Sequence, residues 1–185
     1  LGLALHPNFE ENKKIYVYQT NLELEFFQNK VFSFTVDGDE LIDKQTVIDD
    51  IPGAPWHDGG RIAFGPDDKL YITTGDAVNP GWSQDLSSLA GKILRINPDG
   101  TIPDDNPFDS SPIFSYGHRN PQGIAWSNDG LLVSSEHGPS GEMGYGHDEI
   151  NVIVKGKNYG WPKVVGDSSD DSFVNPIIHS GQTTW

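Results

Sequence analysis

The sequence predicts an all-β chain that forms part of a β-propeller, and three observations carry that prediction. Three segments are self-similar at a spacing of about sixty residues: Gly2-Leu3-Ala4-Leu5-His6-Pro7-Asn8, Arg61-Ile62-Ala63-Phe64-Gly65-Pro66-Asp67 and Gly123-Ile124-Ala125-Trp126-Ser127-Asn128-Asp129-Gly130. Each opens on a short apolar strand, turns through Pro, Asn, Asp or Gly, and continues into a strand rich in β-branched and aromatic residues. The composition agrees. Gly 21 and Pro 13 in 185 residues supply turns, while Trp 5, Tyr 6 and Phe 9 supply a core that a disordered chain would lack.

In the first unit, about residues 1–60, the opening strand leads to Ile15–Thr20 and then to Lys30–Val36 before the Asp37-Gly38 turn. The second, about 61–122, runs through Leu70–Gly75 to Lys92–Asn97 before Pro98-Asp99-Gly100. The third, about 123–185, runs through Leu131–Glu136 to Glu149–Ile153. Segments 76–88 and 99–111 hold much of the Gly, Pro and Asp and read as loops on the faces of the disc. Repeated units of four short antiparallel strands are propeller blades, and three blades do not close a ring. Residues 1–185 therefore read as one partial propeller domain. The chain opens without Met inside a strand-like run and stops at Gly181–Trp185 with no closing element, so it is expected to be truncated at both ends.

Charge and composition exclude several functions. Asp+Glu 27 against Lys+Arg 12 gives a net charge of −15, which opposes nucleic acid or an anionic membrane as partner. No apolar run approaches the ~20 residues of a membrane-spanning helix. The absence of Cys removes disulfides, Cys–Zn sites and thiol nucleophiles.

The repeat also organises the polar residues. His57 lies four residues before Arg61 and Arg119 four before Gly123, so the two occupy equivalent positions ahead of the first strand of successive units. The following hairpin returns Asp76 beside His57, and Glu136, His137 and Gly138 beside Arg119 and Asn120. Taken singly, each has a structural reading. The His serves a Gly-Gly turn, the Arg-Asn pair clamps two blades, the Asp sits in a turn, and Trp56, Trp126 and Trp161 belong to the core. Together they mark one mouth of the central channel as a candidate site.

Five ordered motifs add a resemblance: His57-Asp58-Gly59-Gly60-Arg61, Leu86-Ser87-Ser88-Leu89-Ala90-Gly91-Lys92, Tyr116-Gly117-His118-Arg119-Asn120-Pro121-Gln122-Gly123, Ser135-Glu136-His137-Gly138-Pro139, and Asp148-Glu149-Ile150-Asn151 with Lys157-Asn158-Tyr159-Gly160-Trp161-Pro162. Over essentially its whole length the chain resembles the soluble glucose/sorbosone dehydrogenases that use pyrroloquinoline quinone, and most the aldose sugar dehydrogenase branch. The resemblance implies a six-bladed propeller outside the cytoplasm, periplasmic or extracellular. It would oxidise the anomeric carbon of a small aldose to a lactone and pass electrons to an external acceptor. His57 would be the general base and Asp76 the carboxylate that orients it. Arg119 and Asn120 would bind the quinone. The carbonyls of Gly138 and Pro139 would ligate a Ca2+ that holds the cofactor, and Glu149 with the Tyr159 carbonyl would form a structural Ca2+ site.

Several features depart from the family pattern. Position 56 is Trp where glucose-specific members carry Asp, the family's cofactor-binding Gln would fall before Leu1, and the loop Gly141–His147 is longer than in many members. Val165, Asp167 and Ser169 do not reproduce the extra calcium ligands of the dimeric glucose enzymes. Two rival readings make opposite demands on the channel. A non-catalytic binding propeller would dispense with the His57/Asp76 pair. A calcium-dependent lactone hydrolase would gather carboxylates and Asn there.

Overall fold

Short runs rich in apolar, β-branched and aromatic residues, punctuated by turns, set the strands of three four-stranded antiparallel sheets in the computed structural model, which describes residues 2–23, 25–141 and 144–185. The first sheet follows chain order through β1 (Gly2–Leu5), β2 (Lys14–Glu23), β3 (Phe26–Asp37) and β4 (Glu40–Pro52). The turn after β1 contains a short helix, α1 (Phe9–Asn12), closed by Lys13 in the left-handed region. β2 and β3 run longer than the sequence predicts. Polar Thr20 and Asn29 continue the ribbon because Thr20 Oγ1 donates to Asn29 Oδ1 at 2.6 Å across the pair.

The second sheet comprises β5 (Ile62–Phe64), β6 (Leu70–Thr74), β7 (Lys92–Ile96) and β8 (Ile113–Tyr116), again in chain order. In the third, β9 (Pro121–Trp126) and β10 (Leu132–Glu136) are followed by the small hairpin β11 (Ser140–Gly141) and β12 (Gly144–Tyr145). Then β13 (Glu149–Ile153) and β14 (Ile178–His179) complete the sheet in the order β14-β13-β10-β9. The long loop expected at 141–147 overlaps this hairpin, which begins one residue earlier; Glu142 and Met143 lie outside the described residues, as do Leu1 and Leu24.

These sheets are consecutive blades of a β-propeller. The middle blade explains the packing. Leu70, Ile72, Leu94 and Ile96 meet Tyr16, Tyr18, Val31 and Ile51 of the first sheet, whereas Tyr71 and Ile93 meet Leu132 and Ile153 of the third. Side chains alternate between faces along a strand, so a sheet covered on both sides buries every position. β6 and β7 are accordingly buried throughout. The first strands β1, β5 and β9 neighbour one another, and the segments that enter β5 and β9 share one mouth. Among the described residues no helix is long and apolar enough to cross a membrane.

One buried phenol makes this packing pH-sensitive. Tyr18 donates to the Asp58 carbonyl at 2.7 Å, and burial, reinforced by the Asp58 charge, raises its pKa well above the ordinary value. The native phenol keeps its proton where the unfolded one loses it, above about pH 10. Its contribution is therefore complete below pH ~10 and is lost as pH rises beyond it. Tyr18→Phe should cost about 1 kcal/mol at pH 8. Urea midpoints measured from pH 8 to 11 should show that gap closing.

Candidate active site

Backbone geometry places the site residues before any side chain does. His57, Gly59 and Gly60 all have left-handed φ values, +64°, +64° and +94°, and fold the segment ahead of β5 back on itself. The turn presses His57 onto Gly75, where an added Cβ would lie 1.8 Å from the His57 carbonyl oxygen. The Gly in Thr74-Gly75-Asp76 is thus required by close approach. Three backbone hydrogen bonds lock the neighbourhood: Ala77 N to the His57 carbonyl at 3.1 Å, Asp76 N to the Arg119 carbonyl at 2.7 Å, and His137 N to the Asn120 carbonyl at 3.2 Å. Asn120 adds a side-chain tie by accepting from Gly59 N at 3.0 Å.

The structure brings His57, Asp76, Arg119 and Asn120 together. His57 Nδ1 lies 2.9 Å from Asp76 Oδ1, and Arg119 Nη2 lies 3.0 Å from His57 Nε2. A guanidinium only donates, so Nε2 accepts and the imidazole proton sits on Nδ1, donated to Asp76. The Asp76 carboxylate is buried. Its Oδ1 also accepts from Val78 N at 3.0 Å, and its Oδ2 accepts from Trp161 Nε1 at 2.9 Å. Arg119 Nη1 reaches the His137 carbonyl at 3.3 Å, and its guanidinium carbon stands 5.4 Å from the Trp161 ring. Burial lowers the Arg119 pKa, and the carboxylates of Asp76, Glu136 and Asp148 oppose that shift. Trp56, His57, Arg119, Asn120, His137 and Gly138 line a cleft of about 410 Å³.

A second layer fixes Arg119 from behind. His118 is fully buried, with Nδ1 at 2.9 Å from Glu136 Oε2, Nε2 at 2.8 Å from Ser115 Oγ, and its ring stacked 4.6 Å from that of Tyr159. The other Glu136 oxygen accepts from Arg119 N. Ser83 Oγ donates to the His118 carbonyl at 2.6 Å. The Ser83 loop is tied down by buried Lys92, whose Nζ donates to the carbonyls of Trp82, Ser83 and Ala90; burial lowers its pKa to about 7.

Gly138, Pro139, Glu149 and Tyr159 line, together with Arg119 and Glu136, a void of about 20 Å³, room for one water or small ion. Among the described residues no donor is bonded to the carbonyls of Gly138 and Pro139. Glu149 pairs directly opposite Glu136 across β10 and β13. Burial, together with the facing Glu136, pushes the Glu149 carboxyl up to about 8. Beside it, Asn151 Oδ1 and Ser134 Oγ are buried without a described partner. Among the described residues no group of three His, Asp or Glu side chains is arranged to hold a metal. A cation here would depend on backbone carbonyls.

The tryptophans correct one expectation. Trp126 packs edge-on against Tyr71 at 5.1 Å, as a core residue should. Trp56 does not: it lies in the segment between β4 and β5, next to the left-handed residue His57, and is 61% exposed at the cleft. Trp161 is buried as expected, yet its indole N–H serves Asp76. No spacing in the sequence signals that contact. The Glu136 return beside Arg119 was legible from the hairpin, whereas its carboxylate bridge to His118 was not.

Comparison with known proteins places these residues in context. The family described as Glucose / Sorbosone dehydrogenase matches residues 1–180. Quinoprotein glucose dehydrogenase B of Acinetobacter calcoaceticus is 36% identical over 94% of this chain and 42% of its own length. The PQQ-bound aldose sugar dehydrogenase of Streptomyces coelicolor superposes with a TM-score of 0.89 at 41% identity, covering 97% of this chain and 52% of that one. A Thermus thermophilus oxidoreductase, a candidate glucose dehydrogenase, gives a TM-score of 0.94 at 48% identity over 99% of this chain and 57% of that one. The chain thus spans about half the length of the relatives it matches, the share that three blades of six would occupy.

The close approach at Gly75 is testable. Gly75→Ala should destabilise the protein by about 1–3 kcal/mol, as overpacking does. Gly81→Ala, where an added Cβ meets only Asn79 Oδ1 at 3.5 Å, should stay within about 0.5 kcal/mol of the parent. Urea unfolding of both variants separates the two outcomes.

Proposed function

Because this chain belongs to the glucose/sorbosone dehydrogenase family, we propose that the protein carrying it oxidises aldose sugars at the anomeric carbon to lactones, with pyrroloquinoline quinone as the hydride acceptor and His57 as the general base. The observation that carries this reading is the Asp76–His57–Arg119 array at the cleft. Asp76, held by backbone and indole donors, accepts the hydrogen bond from His57 Nδ1–H and fixes the ring. The Nε2 lone pair then faces the cleft, where it can accept the proton of the anomeric hydroxyl. Imidazole suits that task because its unperturbed pKa lies near neutrality. Arg119 must first turn its donor away from Nε2.

The donor set fits an acidic, oxygen-rich cofactor. Arg119 has five N–H donors, of which two are engaged within the described residues, and the Asn120 amide nitrogen is also available. An Arg fork suits carboxylates and ortho-quinone oxygens. When bound, the quinone supplies a two-electron acceptor for the hydride that leaves the sugar carbon. The carbonyls of Gly138 and Pro139 are hard oxygens of the kind calcium prefers and would hold Ca2+ beside the cofactor. Gly138 lines both the cleft and the small void, so an ion on the cleft side would be separate from a second one held in the void by Glu149 and the Tyr159 carbonyl; a dication there would relieve the repulsion between Glu149 and Glu136. Trp56, where glucose-specific members of the family carry Asp, removes the ground for assigning a preference for glucose. An external acceptor would reoxidise the cofactor, and the family resemblance points to the periplasm or the exterior of the cell.

In the complete protein loaded with quinone and Ca2+, His57→Ala should lower turnover by roughly 10²–10⁴, the span of a lost general base. Cofactor binding, followed by visible absorbance, should survive. Arg119→Ala should instead weaken cofactor binding about 10–100-fold, since each charge-assisted hydrogen bond contributes about 1.5–3 kcal/mol. Dye reduction across a panel of aldoses reads both variants and identifies the preferred sugar. Unchanged turnover in His57→Ala would remove that residue from the role.

A further inference from the structure

We propose that Trp161 is a positioning residue for the base: its indole N–H fixes the rotation of the Asp76 carboxylate and, through Asp76, the ring of His57. The proposal rests on the reading of His57 as general base. Asp76 Oδ1 is occupied by His57 Nδ1 and Val78 N, and the contact described for Oδ2 is Trp161 Nε1 at 2.9 Å. A carboxylate oxygen in a site 1% exposed must find a donor or forfeit its hydration. Without the indole, the carboxylate gains most by rotating its free oxygen toward another donor, and that rotation misaligns Oδ1 from the imidazole.

Trp161 is itself held from two sides. Its backbone N–H donates to the Gly117 carbonyl at 2.9 Å, and its carbonyl accepts from Gln84 Nε2 at 2.7 Å. The indole is thereby aimed inward, 85 positions along the chain from Asp76. Its ring also lies 5.4 Å from the Arg119 guanidinium. One side chain therefore bears on both groups that contact the His57 imidazole, the acid at Nδ1 and the guanidinium at Nε2. A residue needed only to fill this space could be Phe; the N–H aimed at a buried charge requires Trp.

The test is a double-variant cycle in the complete, cofactor-loaded protein. Trp161→Phe keeps the packing and removes the N–H. It should lower kcat about 10–100-fold and leave the KM for sugar within about twofold. If Trp161 acts through Asp76, the same change in an Asp76→Asn background should cost less than about twofold further, because interacting residues are not additive. A second measurement needs neither cofactor nor the Phe variant. In ¹⁵N-labelled cofactor-free protein, the Trp161 indole N–H resonance should lie downfield and move upfield in Asp76→Asn. Full multiplicative costs in the double variant, an unchanged kcat in Trp161→Phe, or an indole resonance indifferent to Asp76→Asn would each overturn the role of Trp161 while sugar oxidation by the parent stands. No sugar oxidation by the loaded parent would overturn the base assignment instead, and the positioning role with it.

Discussion

A single buried carboxylate constrains the rest of the site. Asp76 is 1% exposed, and an ionised carboxylate taken out of water costs several kcal/mol unless its oxygens are hydrogen-bonded. Its donors come from three places: the turn before β5, the backbone two residues downstream, and the segment after β13. Those places must converge, and the local structure reads as the means of convergence. The left-handed run at His57, Gly59 and Gly60 turns the first segment inward. Gly75 lets it approach within contact of the strand end. The link from Gln84 and Gly117 to the backbone of Trp161 aims the indole.

The blades set the distances over which this convergence works. The middle sheet buries one face against the first blade and the other against the third, so its strands cannot slide without exposing Leu70, Ile72, Tyr71 and Ile93. A one-residue slip would reverse every side chain. That rigidity is transmitted to the strand ends, where Asp76 N is bonded to the Arg119 carbonyl of the neighbouring blade. The guanidinium, the imidazole and the carboxylate are held on two blades as one unit.

The third blade carries a tension of its own. Glu136 and Glu149 face each other across the β10–β13 pair, an arrangement of like charges that destabilises a sheet. Glu136 is committed to His118 and to the backbone of Arg119, and burial, with the facing Glu136 adding to it, raises the Glu149 pKa to about 8. Two carboxylates and the carbonyls of Gly138 and Pro139 meet at that corner beside Arg119, an oxygen-rich surrounding of the kind a divalent ion takes.

Much of this was legible from the chain alone. A period of about sixty residues, with short apolar strands and turns inside each unit, specifies blades, and hairpin register then brings Asp76 beside His57 and Glu136 beside Arg119, because the partners lie within one unit or at equivalent places in adjacent ones. The rest depended on packing. Trp161 reaches Asp76 across 85 positions with no repeat-equivalent counterpart, and Trp56 is exposed at the cleft in the segment that joins β4 to β5. His118 looked like one more polar residue in a motif until its burial against Tyr159 obliged both ring nitrogens to find partners in Glu136 and Ser115. Periodicity determines which residues share a strand face and which turns meet. The direction of an indole N–H or the partner of a buried imidazole follows from desolvation in the assembled interior, and only the tertiary structure supplies that.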